Sequence, residues 1–249
     1  VIHKEFHLSS ADPNVVGLEN AVVVGATNYD VADQLADVGM EAIHPKAAKP
    51  IELAGIAIRL KNTFEPDHPG TLITKDYVGE RARVEMVTGS DKVTLVEIHD
   101  PSMVGTVGFD LGLMEIFCRH DISYILKATN ANSIAHVLWE SSVTPALIAE
   151  LEARYEVVTV KPSAIVCAIG SNISIPGVLA RAAQTLADAG VNVNCVSQTL
   201  RQVNMQFIIE RGDYKKARAK LMAAKSKDPN SPHIRANLDL LEDSIRNAR

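Results

Sequence analysis

Along most of this chain, apolar positions recur either every second residue or every third to fourth, and the switches between these periods mark out its elements. Ile56, Ile58 and Leu60 alternate with Ala57, Arg59 and Lys61, the pattern of a half-buried strand. Asn28–Val38 places Val31, Leu35 and Val38 at helical spacing, and Ala47–Ala54 forms a second short helix closed by Gly55. Glu65–Gly70 is a turn by composition, and residues 71–92 form a stretch with room for one or two strands. Phe109, Leu113, Ile116 and Phe117 share one face of a helix over Phe109–Arg119. A second such stripe, Val178, Leu179, Ala182, Ala183 and Leu186, predicts a helix over Val178–Asp188. Ser174 is its expected N-cap, Pro176 falls in its first turn, and Gly190 terminates it. Pro145–Arg154 reads as a helix leading to a strand at Glu156–Val160.

These two stripes belong to an internal repeat. Thr94–Glu140 lines up with Ala164–Glu210 at an offset of 69 to 70 residues. Each copy reads strand, loop, amphipathic helix, strand, turn, strand. Such units arise by duplication, and the copies cover each other's open sheet edges or faces. Two small β-α-β-β units make a poor active site and a good ligand-binding interface, which turns the reading towards regulation. The tail, Gly212–Arg249, is helical with a break at Asp228–Pro232. It resembles one tetratricopeptide unit, but a single unit cannot bury its own face, so an amphipathic helical tail is the better reading.

With 249 residues, 47% of them apolar, the chain has material for two or three compact domains. A net charge of −5 gives no electrostatic reason to expect nucleic acid or an anionic membrane surface. No apolar run approaches the ~20 residues that span a bilayer. Three scattered cysteines in apolar stretches, Cys118, Cys167 and Cys195, fit buried free thiols and a cytoplasmic setting. The start, Val1-Ile2-His3-Lys4, points to a segment of a longer polypeptide or a processed chain.

No nucleophile triad, metal-ligand spacing or phosphate loop is legible, so no catalytic residue and no metal ligand is assigned in this chain. Gly105-Thr106-Val107-Gly108 is a strand-to-helix loop whose free N–H groups could hold a carboxylate. Its glycines could equally serve only a tight turn or close packing. Asn130-Ala131-Asn132-Ser133 supplies polar side chains beside that loop, or is a plain polar turn.

At this point a family resemblance emerges. Gly39-Met40-Glu41-Ala42-Ile43-His44-Pro45-Lys46-Ala47 resembles the Gly-Ala-Lys-Val-Leu-His-Pro-Arg-Ala stretch of aspartate kinases. Ile58–Phe64 with Pro69-Gly70-Thr71 looks like the end of that family's catalytic domain, and Ser10-Ala11-Asp12-Pro13 is similar to its Thr-Ala-Asp-Pro element. The duplicated units look like the paired ACT domains that follow, over a match covering roughly residues 1–222. The variant wording resembles the ectoine-associated subgroup.

The resemblance implies an α/β (α+β) chain. Residues 1–75 would be the C-terminal remnant of an amino-acid-kinase α/β domain and 76–92 a connector. Residues 93–162 and 163–224 would be two ferredoxin-like βαββαβ ACT domains, and 225–249 a helical tail. The implied reaction is transfer of the ATP γ-phosphoryl group to the side-chain carboxylate of L-aspartate, with ATP and Mg as cofactors of the full-length family. The product, 4-phospho-L-aspartate, leads to lysine, threonine, methionine or ectoine. The family's N-terminal Lys-Phe-Gly-Gly-Thr element and most aspartate-binding residues have no counterpart here, so the chain alone is expected to be inactive and to hold neither cofactor tightly. Family nucleotide positions fall at Ser9, Asp12, Asn14 and Glu41, of which only Asp12 is retained, and Glu41 reverses a charge useful beside phosphates.

Effector-binding positions fall at Ser102, Met103, Gly105, Gly108, Phe109, Ile125, Thr129 and Asn130. Ile125 stands where lysine-sensitive members place an aspartate, and an isoleucine cannot pair with an ammonium. Weak or altered feedback inhibition by lysine is therefore expected. A small amino-acid effector and a homodimer through the ACT domains are the expected partners, with no nucleic acid and no membrane. The alternative is a stand-alone ACT regulatory or dimerisation subunit without catalysis of its own. Residues 1–70 weigh against it.

Overall fold

The computed structural model describes residues 1–5, 7–10, 22–38 and 43–226. Among these, the N-terminal part is a four-stranded sheet in the order β1-β3-β4-β2, formed by β1 (Ile2–Lys4), β2 (Ala26–Asn28), β3 (Ile58–Asn62) and β4 (Thr71–Thr74). β1 runs parallel to β3, and β2 parallel to β4, while β3 and β4 are antiparallel. Helix α1 (Tyr29–Asp37) follows β2, and α2 (Pro45–Leu53) precedes β3. Asn28 caps α1 by accepting from the Val31 N–H at 2.9 Å, satisfying one orphan donor of the first turn. Tyr29 anchors that helix through its hydroxyl, which donates to the Ile56 carbonyl at 2.6 Å.

The rest builds a six-stranded antiparallel sheet, order β6-β7-β5-β8-β10-β9. Its two central strands are long, β5 over Met86–His99 and β8 over Val157–Ile169. β6 (Leu126–Thr129) and β7 (Ser133–Trp139) complete the first repeat, with α3 (Phe109–Arg119) and α4 (Pro145–Arg154) on one face. β9 (Val193–Ser197) and β10 (Asn204–Glu210) complete the second, with α5 (Val178–Asp188) and α6 (Tyr214–Ser226). The repeat is exact in one detail: α3 and α5 both have 11 residues, and both start after a left-handed glycine, Gly108 (φ 78°) and Gly177 (φ 87°).

Val93–His99 pairs with Val157–Ser163, and Met86–Ser90 pairs with Ile165–Ile169, across a bulge at Ser90/Val93. The fourth strand of the second unit is therefore supplied by residues 86–90, upstream of the first unit, and the second unit itself ends in α6. The two ferredoxin-like units expected from the sequence thus share the long strands β5 and β8. Likewise the strand expected at Glu156–Val160 continues unbroken to Ile169.

Both faces of the sheet are covered. Val96, Ile98, Ile134 and Leu138 pack under α3 and α4, while Val166, Met205, Phe207 and Ile209 pack under α5 and α6. The opposite face, with Leu95, Val137, Ile165, Cys167 and Ile208, joins Leu35, Val38 and Ile73 of the N-terminal part in one core cluster. Two-sided burial explains why Ser163–Ile169 is buried at every position rather than alternating. β6 and β9, the two ends of the strand order, also touch, so the sheet curls strongly.

Two local expectations fail. Ser174 is not the N-cap of α5, because the left-handed Gly177 occupies that place without a side-chain bond, and Pro176 precedes the helix. Leu179 and Ala183 are exposed, so the buried stripe of α5 is narrower: Val178, Ala182 and Leu186. Residues 227–249, with the break in the tail and its second apolar face, lie outside the described residues.

Candidate ligand-binding site

In the first repeat the loop between β5 and α3 begins with Asp100, whose Oδ1 accepts from the Ser102 N–H at 2.8 Å. Those bonds from Ser102 hold the Asp100 carboxyl below the usual carboxylate range. Ser102 and Met103 lie in a short 3-10 turn, Pro101–Met103. Gly105 (φ 75°) and Gly108 (φ 78°) follow, and a Cβ at either would meet nothing within 4 Å. Close packing is thereby excluded as their reason: the glycines allow left-handed turns, and the space beside them is open. Phe109, half-buried, lays its ring 5.6 Å from that of Tyr155. Met103 packs at the edge of the same core.

β6 stands beside this loop. An ion pair from Lys127 Nζ to Asp110 Oδ2 ties the strand to the first turn of α3. Ile125 is half-buried against the core, and its N–H donates to the Val137 carbonyl at 2.8 Å. Thr129 ends the strand, its hydroxyl 3.3 Å from the Asn130 carbonyl. Asn130 is committed to the hairpin: its Oδ1 accepts from the N–H groups of Asn132 (3.2 Å) and Ser133 (3.0 Å). Its Oδ1 thus serves the turn, and Asp110 and Lys127, which the sequence reading passed over, join Asp100 as charged groups of this region. A polar residue in the first turn of an amphipathic helix and a lysine in an apolar strand were the available signals.

Beneath them lies His136 of β7, fully buried, with neither ring nitrogen hydrogen-bonded. Its ring meets Phe117 and Tyr124 edge-on, at 5.0 and 5.2 Å. Burial, and secondarily the Lys127 charge, lowers its pKa to about 4, so it is neutral at pH 7.

The equivalent loop of the second repeat is closed. Ser171 donates its N–H to Glu85 Oε2 (3.1 Å) and its hydroxyl to Glu85 Oε1 (2.9 Å). The same hydroxyl accepts from the Gly79 N–H at 2.8 Å, and Asn172 Nδ2 donates to the Gly79 carbonyl at 2.9 Å. Residues 79–85 thus form a strap across the loop, and Glu85 plays towards Ser171 the part that Asp100 plays towards Ser102.

Of the nucleotide positions, Asp12, Asn14 and Glu41 lie outside the described residues. Ser9 is buried and directs its hydroxyl to the His7 carbonyl at 3.3 Å. A lone buried hydroxyl already in use does not fit a triphosphate. No cluster of side chains suited to a metal ion occurs among the described residues.

A cleft of about 380 Å³ lies elsewhere, between α1, α2 and Trp139, and is lined by Asp33, Asp37, Glu52 and Lys49. Desolvation pushes the Asp37 carboxyl up to about 6. No sequence motif pointed to it.

Comparison with known proteins now bears on this geometry. The chain is 44% identical over 227 residues to the aspartate kinase Ask_Ect of Stutzerimonas stutzeri (strain A1501), a match covering 90% of the chain. In sequence this chain resembles the aspartate kinases. It spans 48% of that relative's length, and 37% of aspartokinase 1, chloroplastic, of Arabidopsis thaliana, to which it is 30% identical. The ACT domain family matches residues 166–224, the second repeat. The fold is also that of solved aspartate kinases. The Clostridium acetobutylicum enzyme superposes with a TM-score of 0.81 at 23% identity, over 90% of this chain and 53% of that one. E. coli aspartokinase III in complex with lysine and aspartate superposes with a TM-score of 0.74 at 24% identity, over 90% and 50%. Among the described residues, no helix is long and apolar enough to cross a membrane.

Proposed function

We propose that this chain is the C-terminal, amino-acid-sensing part of an aspartate kinase that phosphorylates the side-chain carboxylate of L-aspartate from ATP. The observation that carries the reading is the order of parts along one chain: a partial α/β sheet with α1 and α2, then the duplicated regulatory unit. A stand-alone regulatory subunit would not need the first of these. The match to Ask_Ect supports placement in the ectoine-associated subgroup. ATP and magnesium belong to the longer protein in this reading, and the chain alone is inactive.

The β–α loop of the first repeat is the sensor, and that of the second is closed. Open space beside Gly105 and Gly108 supports the former, and the Glu85 strap the latter. Val104, Val107 and Leu111, at 67, 100 and 62% exposure around the open loop, support a homodimer that covers them. The test is an assay of aspartate-dependent ADP release by the 249-residue chain, combined with calorimetric titration by lysine, threonine, methionine and ectoine. No turnover with saturable binding of one amino acid is expected. Aspartate-dependent turnover would defeat the assignment of the chain as a regulatory part.

A further inference from the structure

A second, smaller cleft opens where α1 of the N-terminal part meets the β9–β10 hairpin of the second repeat. It encloses about 70 Å³ and is lined by Asp30 and Gln34 from α1, Thr199 and Arg201 from the turn, and Asn204 and Gln206 from β10. That is the space of roughly two waters at about 30 Å³ each, enough for a small polar head group.

Three features distinguish it from an ordinary surface crevice. First, Asn204 is 7% exposed, and its Oδ1 is buried without a hydrogen-bond partner, while its Nδ2 donates to Gln34 Oε1 at 2.9 Å. Leaving a buried acceptor unpaired is costly, so a donor arriving there is favoured. Second, the cleft carries one charge of each sign, Asp30 and Arg201. They face each other at 3.4 Å, Arg201 largely exposed at 75% of its side chain and Asp30 in part at 38%. A pair so exposed contributes little and opens at little cost. Third, Gln206 is buried on the same strand face as Asn204, adding a second carboxamide.

We infer that this cleft binds the head group of a free α-amino acid, with Arg201 taking its carboxylate and Asp30 and the Asn204 carbonyl oxygen taking its ammonium. The ligand inserts between Asp30 and Arg201, trading one weak ion pair for two. Its side chain points to the open mouth, so the cleft selects for the zwitterion more than for the side chain. Because the walls come from α1 and from the β9–β10 hairpin, an occupied cleft pins the kinase part to the second repeat. The second repeat, whose β–α loop is closed by Glu85, would thus contribute to ligand binding through its opposite face. The inference stands apart from the first-repeat sensor.

The test is a ¹⁵N-resolved NMR titration of the 249-residue chain with L-alanine, using acetate and methylammonium as single-charge controls. L-Alanine is expected to shift the Gln34 and Asn204 side-chain amides and the 197–203 backbone saturably. Each control should bind at least about tenfold more weakly, since each loses one charge-assisted contact. Arg201→Gln should weaken L-alanine binding by about tenfold with the spectrum otherwise intact, as expected for an exposed side chain, and Asp30→Asn should do the same. Acetate or methylammonium matching L-alanine would overturn the inference, as would undiminished binding in both variants or the absence of saturable shifts. Shifts confined to residues 100–130 would also overturn it while leaving the first-repeat sensor standing.

Discussion

Glu85 holds Ser171 with both carboxylate oxygens, one on the N–H and one on the hydroxyl, across 86 residues of sequence. In the first repeat the matching serine, Ser102, is capped by its near neighbour Asp100. The same local need, an acceptor for the first free N–H of a β–α loop, is met locally in one copy and from a distant strap in the other. The strap closes that loop and fastens the connector to the second repeat. Glu85→Ala should lower stability by about 1–3 kcal/mol, the range for losing bonds to a charged group. Amide exchange should accelerate first in residues 79–85 and 171–173. Denaturant titration with exchange mass spectrometry would read both, and unchanged protection of Ser171 would refute the strap.

Gly89 lies where β5 passes from one repeat to the other, with φ 154°. A Cβ there would stand 2.0 Å from the Ile165 carbonyl oxygen, a backbone atom in the paired strand that cannot turn aside. Its own carbonyl accepts from the Tyr214 hydroxyl at 2.8 Å, linking α6 to the crossing. Gly89→Ala should cost more than about 2 kcal/mol, as backbone clashes in a core strand do. A thermal melt within a degree or two of the parent would count against this account.

His136 gives the fold a defined acid sensitivity. Its folded pKa of about 4 lies below the ordinary imidazole value of 6.5, so the unfolded chain binds the extra proton between those values. Stability from this residue is complete above pH 6.5 and is lost as pH falls towards 4. For a fully buried ring the amount is on the order of 3 kcal/mol. His136→Phe should flatten the stability profile across that window, because the neighbouring Phe117 and Tyr124 rings accept an aromatic replacement. Parallel acid profiles for the two proteins would show that the ring is not the cause.

Ile125 bears on effector choice. If the first repeat senses an amino acid, an isoleucine at this place offers nothing to a second ammonium group, so lysine should bind weakly. Ile125→Asp should strengthen lysine binding by about tenfold, the worth of one charge-assisted contact. Titration calorimetry on both forms decides the matter, and tight lysine binding by the parent chain would remove the premise.

The sequence by itself determined the elements whose causes are local. α3 and α5 fall at Phe109–Arg119 and Val178–Asp188 as their apolar spacing predicts, and α1 begins at the Asn28 cap. The duplication was legible for the same reason, since both copies keep their periodicity. The open loop at Gly105 and Gly108 was visible as a motif, but close packing was excluded as its reason only once the space around each glycine was known. Tertiary structure decided the rest. Periodicity states that a residue is buried and not against what, so it could not place Met86–Ser90 beside Ile165–Ile169 or show that both faces of the sheet are covered. Nor could it tell that Asn130 spends its side chain on its own turn while Asn204, another asparagine beside a strand, keeps a buried oxygen unpaired. A side chain's free valence depends on neighbours brought from far along the chain, and only folding supplies them.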